Sequence, residues 1–89
     1  MMRSRHFRIS GRVQGVGFRY AACAEAQRLG VTGWVRNLPN GDVEALACGA
    51  ADRAQAFEEW LWRGPRAARV TAVRATDAAP QEFHEFAVR

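Results

Sequence analysis

Phe7, Ile9 and Val13 alternate with Arg8, Ser10 and Arg12. This is the period of two of a half-buried strand, with Gly11 in the one inward slot that lacks a side chain. The period then lengthens. Phe18, Ala22, Ala26 and Leu29 recur at helical spacing and Gly30 offers a left-handed stop, which predicts a helix over Phe18 to Leu29. Gly33, Trp34 and Val35 read as a second strand. Asn40-Gly41 is the dipeptide favoured by tight hairpins because both positions tolerate positive φ, and a third strand follows from Val43 to Cys48. Asp52 with Gln55 fits a capping box, Ala54, Phe57 and Leu61 form a helical stripe, and Gly64-Pro65 ends it. Arg69 to Ala75 reads as a strand, Asp77 to Gln81 as a turn, and Phe83 to Val88 as a short terminal strand.

The resulting order is βαββαβ with a small extra strand. Two split βαβ units of this length fold most simply as an α+β, ferredoxin-like sandwich, an antiparallel sheet with two helices on one face and the other face open. The fold by itself assigns no function.

With 89 residues the chain has room for one domain, residues 1–89, with a core that needs neither disulfide nor metal. Cys23 and Cys48 lie in unrelated elements and read as reduced thiols. The basic start, MMRSRHF, is not followed by the apolar run of a secretory signal, so a cytoplasmic location is expected. All 13 basic residues are arginine and the net charge is +4, which favours an anionic partner without choosing among anions.

Local chemistry narrows the choice. In "RVQGVGFRY", Gly15 and Gly17 join the first strand to the first turn of the first helix, where backbone amides lack partners and the helix dipole is positive. Glycines let a ligand approach the main chain, so several amides can converge on one phosphate. Arg19, in the same turn, adds a planar fork matched to two phosphate oxygens. A cation at a helix N-terminus is electrostatically unfavourable unless an anion joins it. Glycine turns and helix-start arginines also occur as ordinary solvated features, so both readings stand on these residues alone. The stretch completes neither the Walker pattern nor G-x-G-x-x-G.

His6 and His84 have no evident nucleophile partner, and no pair of acidic residues sits near the loop. The accessible reactions are therefore those whose leaving group departs unaided. An acyl phosphate qualifies, because its leaving group is a carboxylate whose conjugate acid has a pKa of about 4 to 5. Such a substrate needs its phosphoryl group held, its charge neutralised and a water aimed in line. Asn37, placed by parity on the helix side with Gly33 and Val35, is the candidate side chain for the last task.

"GRVQGVGFRY" with "VTGWVRNLPNG", continued by "FEEWLWRGPRAARVTAV" and "EFAVR", resembles the acylphosphatase family over nearly the whole chain. The resemblance implies phosphate held by Arg19 and by the amides of Gln14, Gly15, Val16, Gly17 and Phe18, with Asn37 positioning the attacking water. It also implies a small acyl phosphate as substrate, with no metal, cofactor or phosphoenzyme, and with inorganic phosphate or sulfate as a competing anion, while the chain's size and pattern favour a monomer. Two departures stand out. Leu38 replaces a small hydroxyl residue common in the family, and Cys48-Gly49-Ala50 replaces a glycine-proline turn, a change expected to affect only a loop. RNA binding through the open sheet face is the competing class. That face would carry Arg8, Ser10, Arg12, Glu44, Leu46 and Cys48 without the aromatic signature of RNA-reading sheets, which disfavours nucleic acid. A binding-only relative is a third possibility, and intact Arg19 and Asn37 argue against it.

Overall fold

The computed structural model describes residues 1–89. The chain runs β1 (Met2–Arg12), α1 (Phe18–Leu29), β2 (Thr32–Asn37), β3 (Val43–Ala50), α2 (Ala51–Arg63), β4 (Arg69–Asp77) and β5 (Phe86–Val88). The strands form one sheet in the order β4-β1-β3-β2-β5. α1 packs on β2 and β5, α2 on β4, β1 and β3, and the helices touch each other, so both cover one face.

The alternating positions account for the core. Phe7 and Ile9 of β1, Val35 of β2, and Val43, Ala45 and Ala47 of β3 point to the helices and are fully buried. They meet Phe18, Ala22 and Ala26 of α1 and Phe57 and Leu61 of α2. Phe57 sits at the centre, its ring 6.1 Å from Phe7 and 5.4 Å from Phe86. Truncation of such a side chain to alanine would cost about 3–5 kcal/mol through the cavity left behind.

The sheet is mixed rather than wholly antiparallel, because β5 lies parallel to β2. Strand directions explain this: β4 runs antiparallel to β1 and ends at one end of the sheet. The chain crosses along that end to the far edge, and its return run can only match the direction of β2. The terminal strand is also shorter than Phe83 to Val88, since residues 83–85 belong to the crossing.

Two turns differ from the expected chemistry. β3 continues through Cys48, Gly49 and Ala50 straight into α2, so no loop exists there for the Cys48-Gly49-Ala50 departure to alter. The cap of α2 is therefore Ala50, not Asp52, and the Asp52/Gln55 capping box does not form. The amide of Ala51 instead donates to the main-chain oxygen of Met1 at 2.8 Å, while the Asp52 carboxylate takes the amide of Arg53 at 3.0 Å. At the β2–β3 hairpin, Asn40 has no positive φ. The turn spans Leu38 to Gly41, with Pro39 and Asn40 at its centre, and is closed by Gly41 N–H donating to Leu38 O at 3.2 Å.

Candidate active site

The loop between β1 and α1 is shaped by its two glycines. Gly15 and Gly17 have φ of 73° and 80°, a region that L-residues with a Cβ resist. A Cβ added at either would meet nothing within 4 Å, so the space over the loop is open. Gly17 is also the N-cap of α1, with no side-chain cap and no acidic residue in the first turn. None of the amides from Gln14 to Phe18 donates to a main-chain acceptor. The end of α1 is thus a cluster of unpaired donors at the positive pole of a helix, the environment that attracts an anion.

Arg19 stands beside these amides. Its Nη1 donates to the main-chain oxygen of Arg89 at 2.9 Å, and its guanidinium lies 5.8 Å from the centroid of the Tyr20 ring. Asn37 is the last residue of β2. Its Oδ1 is buried and has no hydrogen-bond partner. An unsatisfied buried acceptor costs about 1–3 kcal/mol, and such atoms call for a functional explanation.

Arg19 and Asn37 line a single cavity of about 220 Å³ with Val13, Gly15, Gly17, Phe18 and Tyr20. The predicted Gly15, Gly17, Phe18, Arg19 and Asn37 therefore come together. The side chains of Gln14 and Val16 do not reach the cavity: Val16 packs against the core, and Gln14 turns to the hairpin. Gln14 Nε2 donates to Leu38 O at 2.7 Å and to Asp42 O at 2.8 Å. Only their main-chain amides belong to the loop. The Leu38 departure leaves the hairpin's main chain bonded, with Leu38 N–H donating to Asp42 O at 2.8 Å.

Three features of this site were not read from the sequence: the Gln14 side chain, the Arg89 oxygen and Tyr20. Tyr20 had a signal, an aromatic side chain beside Arg19 in an exposed first turn. The other two contacts span 24 or more positions and carry no local pattern.

Elsewhere, Arg3, Arg5, Arg8, Arg28, Arg36 and Arg53 pair with carboxylates of the protein. A depression of about 250 Å³ near Arg3, Arg5, Glu58 and Trp62 has both its arginines engaged, Arg5 by Asp77 at 2.8 Å and Glu58 at 3.3 Å and Arg3 by Asp77 at 3.0 Å. On the face away from the helices, Leu46 and Cys48 are buried. Arg8 pairs with Asp42 at 2.8 Å, which holds the Asp42 carboxyl below its ordinary range, helped by Asn40. Burial pushes the Glu44 carboxyl up, but hydrogen bonds from His6 and Arg36 outweigh it and keep the group low. Trp34 carries the guanidinium groups of Arg36 and Arg89 at 5.3 and 5.0 Å from its ring. No three His, Cys, Asp or Glu side chains gather as a metal-binding group. No helix is long and apolar enough to cross a membrane.

The Acylphosphatase family model matches residues 5–88. An acylphosphatase of Azoarcus sp. (strain BH72) is 53% identical over 83 residues, covering 93% of this chain and 85% of that protein. An acylphosphatase structure from Coxiella burnetii superposes with a TM-score of 0.96 at 42% identity, covering 99% of this chain and 93% of its own. One from Bacillus subtilis gives 0.94 at 37%, covering 100% and 99%. With the likeness carried in sequence and in backbone along almost the full length, this chain belongs to the acylphosphatase family.

Proposed function

We propose that the cavity over the β1–α1 loop binds the phosphoryl group of an acyl phosphate and hydrolyses its phosphorus–oxygen bond. The amides of Gln14 to Phe18 and the guanidinium of Arg19 neutralise the equatorial oxygens. Asn37 Oδ1 accepts a hydrogen from the attacking water and holds it in line with the leaving group. The water oxygen bonds to phosphorus as the bond to the acyl oxygen breaks. The carboxylate leaves with the electron pair, and both water protons end on the released dihydrogen phosphate. No general acid is required, since the departing carboxylate is a weak base at neutral pH.

The observation that carries this reading is the meeting of three complementary groups in one cavity: unpaired amides, a cation, and a buried acceptor without a donor. The first two suit the phosphoryl oxygens and the third suits water. Inorganic phosphate and sulfate fit the same donors and act as competitors. Two free thiols, with Cys48 buried, are consistent with a protein working in a reducing cytoplasm, and we read it as a monomer.

Hydrolysis of benzoyl phosphate in excess EDTA tests the proposal, with Asn37→Ala alongside. Turnover by the wild-type protein, reduced on the order of a hundredfold in Asn37→Ala with phosphate inhibition unchanged within about twofold, is the expected result. A variant with full turnover would remove Asn37 from the mechanism. A folded wild type that is protected by phosphate against heat but hydrolyses nothing would leave only a binding domain.

A further inference from the structure

We propose that the side chain of Gln14 is a positioning residue for Asn37, tying the water-holding strand end to the phosphate loop. The inference rests on the role proposed above for Asn37.

The geometry is specific. Gln14 Nε2 uses both of its hydrogens, one on Leu38 O at 2.7 Å and one on Asp42 O at 2.8 Å. These carbonyls stand at the two sides of the hairpin's neck. Leu38 directly follows Asn37, and Asp42 directly precedes Val43, the cross-strand partner of Asn37. A single amide therefore grips the hairpin where the functional side chain leaves the sheet.

Asn37 needs such a grip because the ladder supports it on one side only. β5 pairs with β2 from Gly33 to Val35, and the last bond on that side is Arg89 N–H to Val35 O at 2.8 Å. At Asn37 only β3 remains. The hairpin closes its own turn through Leu38 N–H to Asp42 O, so it forms without Gln14, but nothing in that closure sets its distance from the loop. A displacement of about 1 Å in a reacting group can cost on the order of a hundredfold in rate.

The chemistry also explains the residue type. Both targets are acceptors, so the side chain must donate twice, and a glutamate of the same length has only acceptors when ionised. Gln14 then contributes to both halves of the site, with its main-chain amide in the phosphate loop and its side chain on the water-holding hairpin.

A double-mutant cycle in benzoyl phosphate hydrolysis tests this, using Gln14→Met, which keeps the length and the main-chain N–H but removes both donors. Gln14→Met is expected to lower kcat by roughly tenfold or more while phosphate inhibition stays within about twofold. In an Asn37→Ala background it should lower kcat by less than about twofold, because the group it positions is gone. Gln14→Glu supplies a second readout. Its kcat should rise relative to wild type as pH falls and its carboxyl gains a proton to donate, a profile that a role in stability alone would not produce.

Independent losses that multiply in the double variant would overturn the inference, as would a Gln14→Met enzyme with wild-type kcat. If Asn37→Ala itself retains full turnover, the underlying reading of Asn37 falls, and the inference with it. If Gln14→Met does not fold, the pH profile of Gln14→Glu decides: a profile parallel to wild type overturns the proposal.

Discussion

The two helices of this protein begin in opposite ways. α2 starts directly from β3, its first amide is taken by the Met1 oxygen, and Asp52 supplies a negative charge in its first turn. α1 starts from a glycine loop whose amides have no main-chain acceptor, has no acid in its first turn, and carries Arg19 there instead. The positive pole of α2 is compensated from within the chain, while that of α1 is left uncompensated and made more positive. Both ends have the same dipole, so the difference lies in what surrounds it: one end is satisfied within the fold and the other is left open, a setting that favours an anion.

Removing the cation that sharpens this difference should have the largest effect. Arg19→Ala is expected to lower turnover on the order of a thousandfold and to weaken phosphate inhibition as well, with thermal unfolding nearly unchanged. Loss of turnover with intact phosphate affinity would separate Arg19 from ground-state binding.

Making α1 resemble α2 should come next. Tyr20→Glu places an acid in the bare first turn, where it competes with an incoming anion. Phosphate inhibition should weaken by roughly tenfold while the melting temperature holds or rises slightly, as expected of an acid at a helix start. A variant that binds phosphate as tightly as wild type would mean that the dipole end contributes little.

Acid should act on the fold before it acts on this contrast. Hydrogen bonds from arginines depress the carboxyls of Asp77, Asp42 and Glu25, and those from His6 and Arg36 outweigh burial at Glu44. Groups whose folded pKa lies below the ordinary 3.8 of Asp or 4.5 of Glu contribute stability that is complete above those values. That stability is lost as pH falls through the depressed folded values. Melting temperature is therefore expected to be flat from neutrality to about pH 5 and to decline by several degrees below about pH 4, as differential scanning calorimetry would show. A decline beginning at pH 6 would mean that these carboxyls are not the groups on which acid acts.

The smallest effect belongs to the compensated end. Asp52 is largely exposed, so Asp52→Asn should cost about 0.5 kcal/mol in urea unfolding and leave kcat unchanged. A cost several times larger would mean that Asp52 holds more than the helix dipole.

Much of this arrangement is readable from the chain. The periods of two and 3.6 place both helices and the four long strands, and the burial beneath the helices is written in the order of Phe7, Ile9, Phe18, Ala22, Phe57 and Leu61. The glycine loop and Arg19 are equally local. What is not legible depends on distant partners. Asp52 and Gln55 have the composition of a capping box, but β3 runs on to Ala50 and the Met1 oxygen takes the first amide. Asn40-Gly41 has the composition of a two-residue turn, but strand pairing of Asn37 with Val43 leaves five residues to close it. The direction of β5 follows from the path around the sheet, and the grip of Gln14 on the hairpin from two carbonyls far along the chain.

The buried Oδ1 of Asn37 also bears on how this protein could be improved. An acceptor that no donor of the protein satisfies is a place where the resting fold gains by substitution, and a strand end readily admits valine or threonine. Selection for heat resistance alone would therefore drift away from asparagine at position 37. If Asn37 holds the attacking water as proposed, survivors of such a screen would be tougher and slower, so thermostabilisation here has to be scored on turnover from the first round.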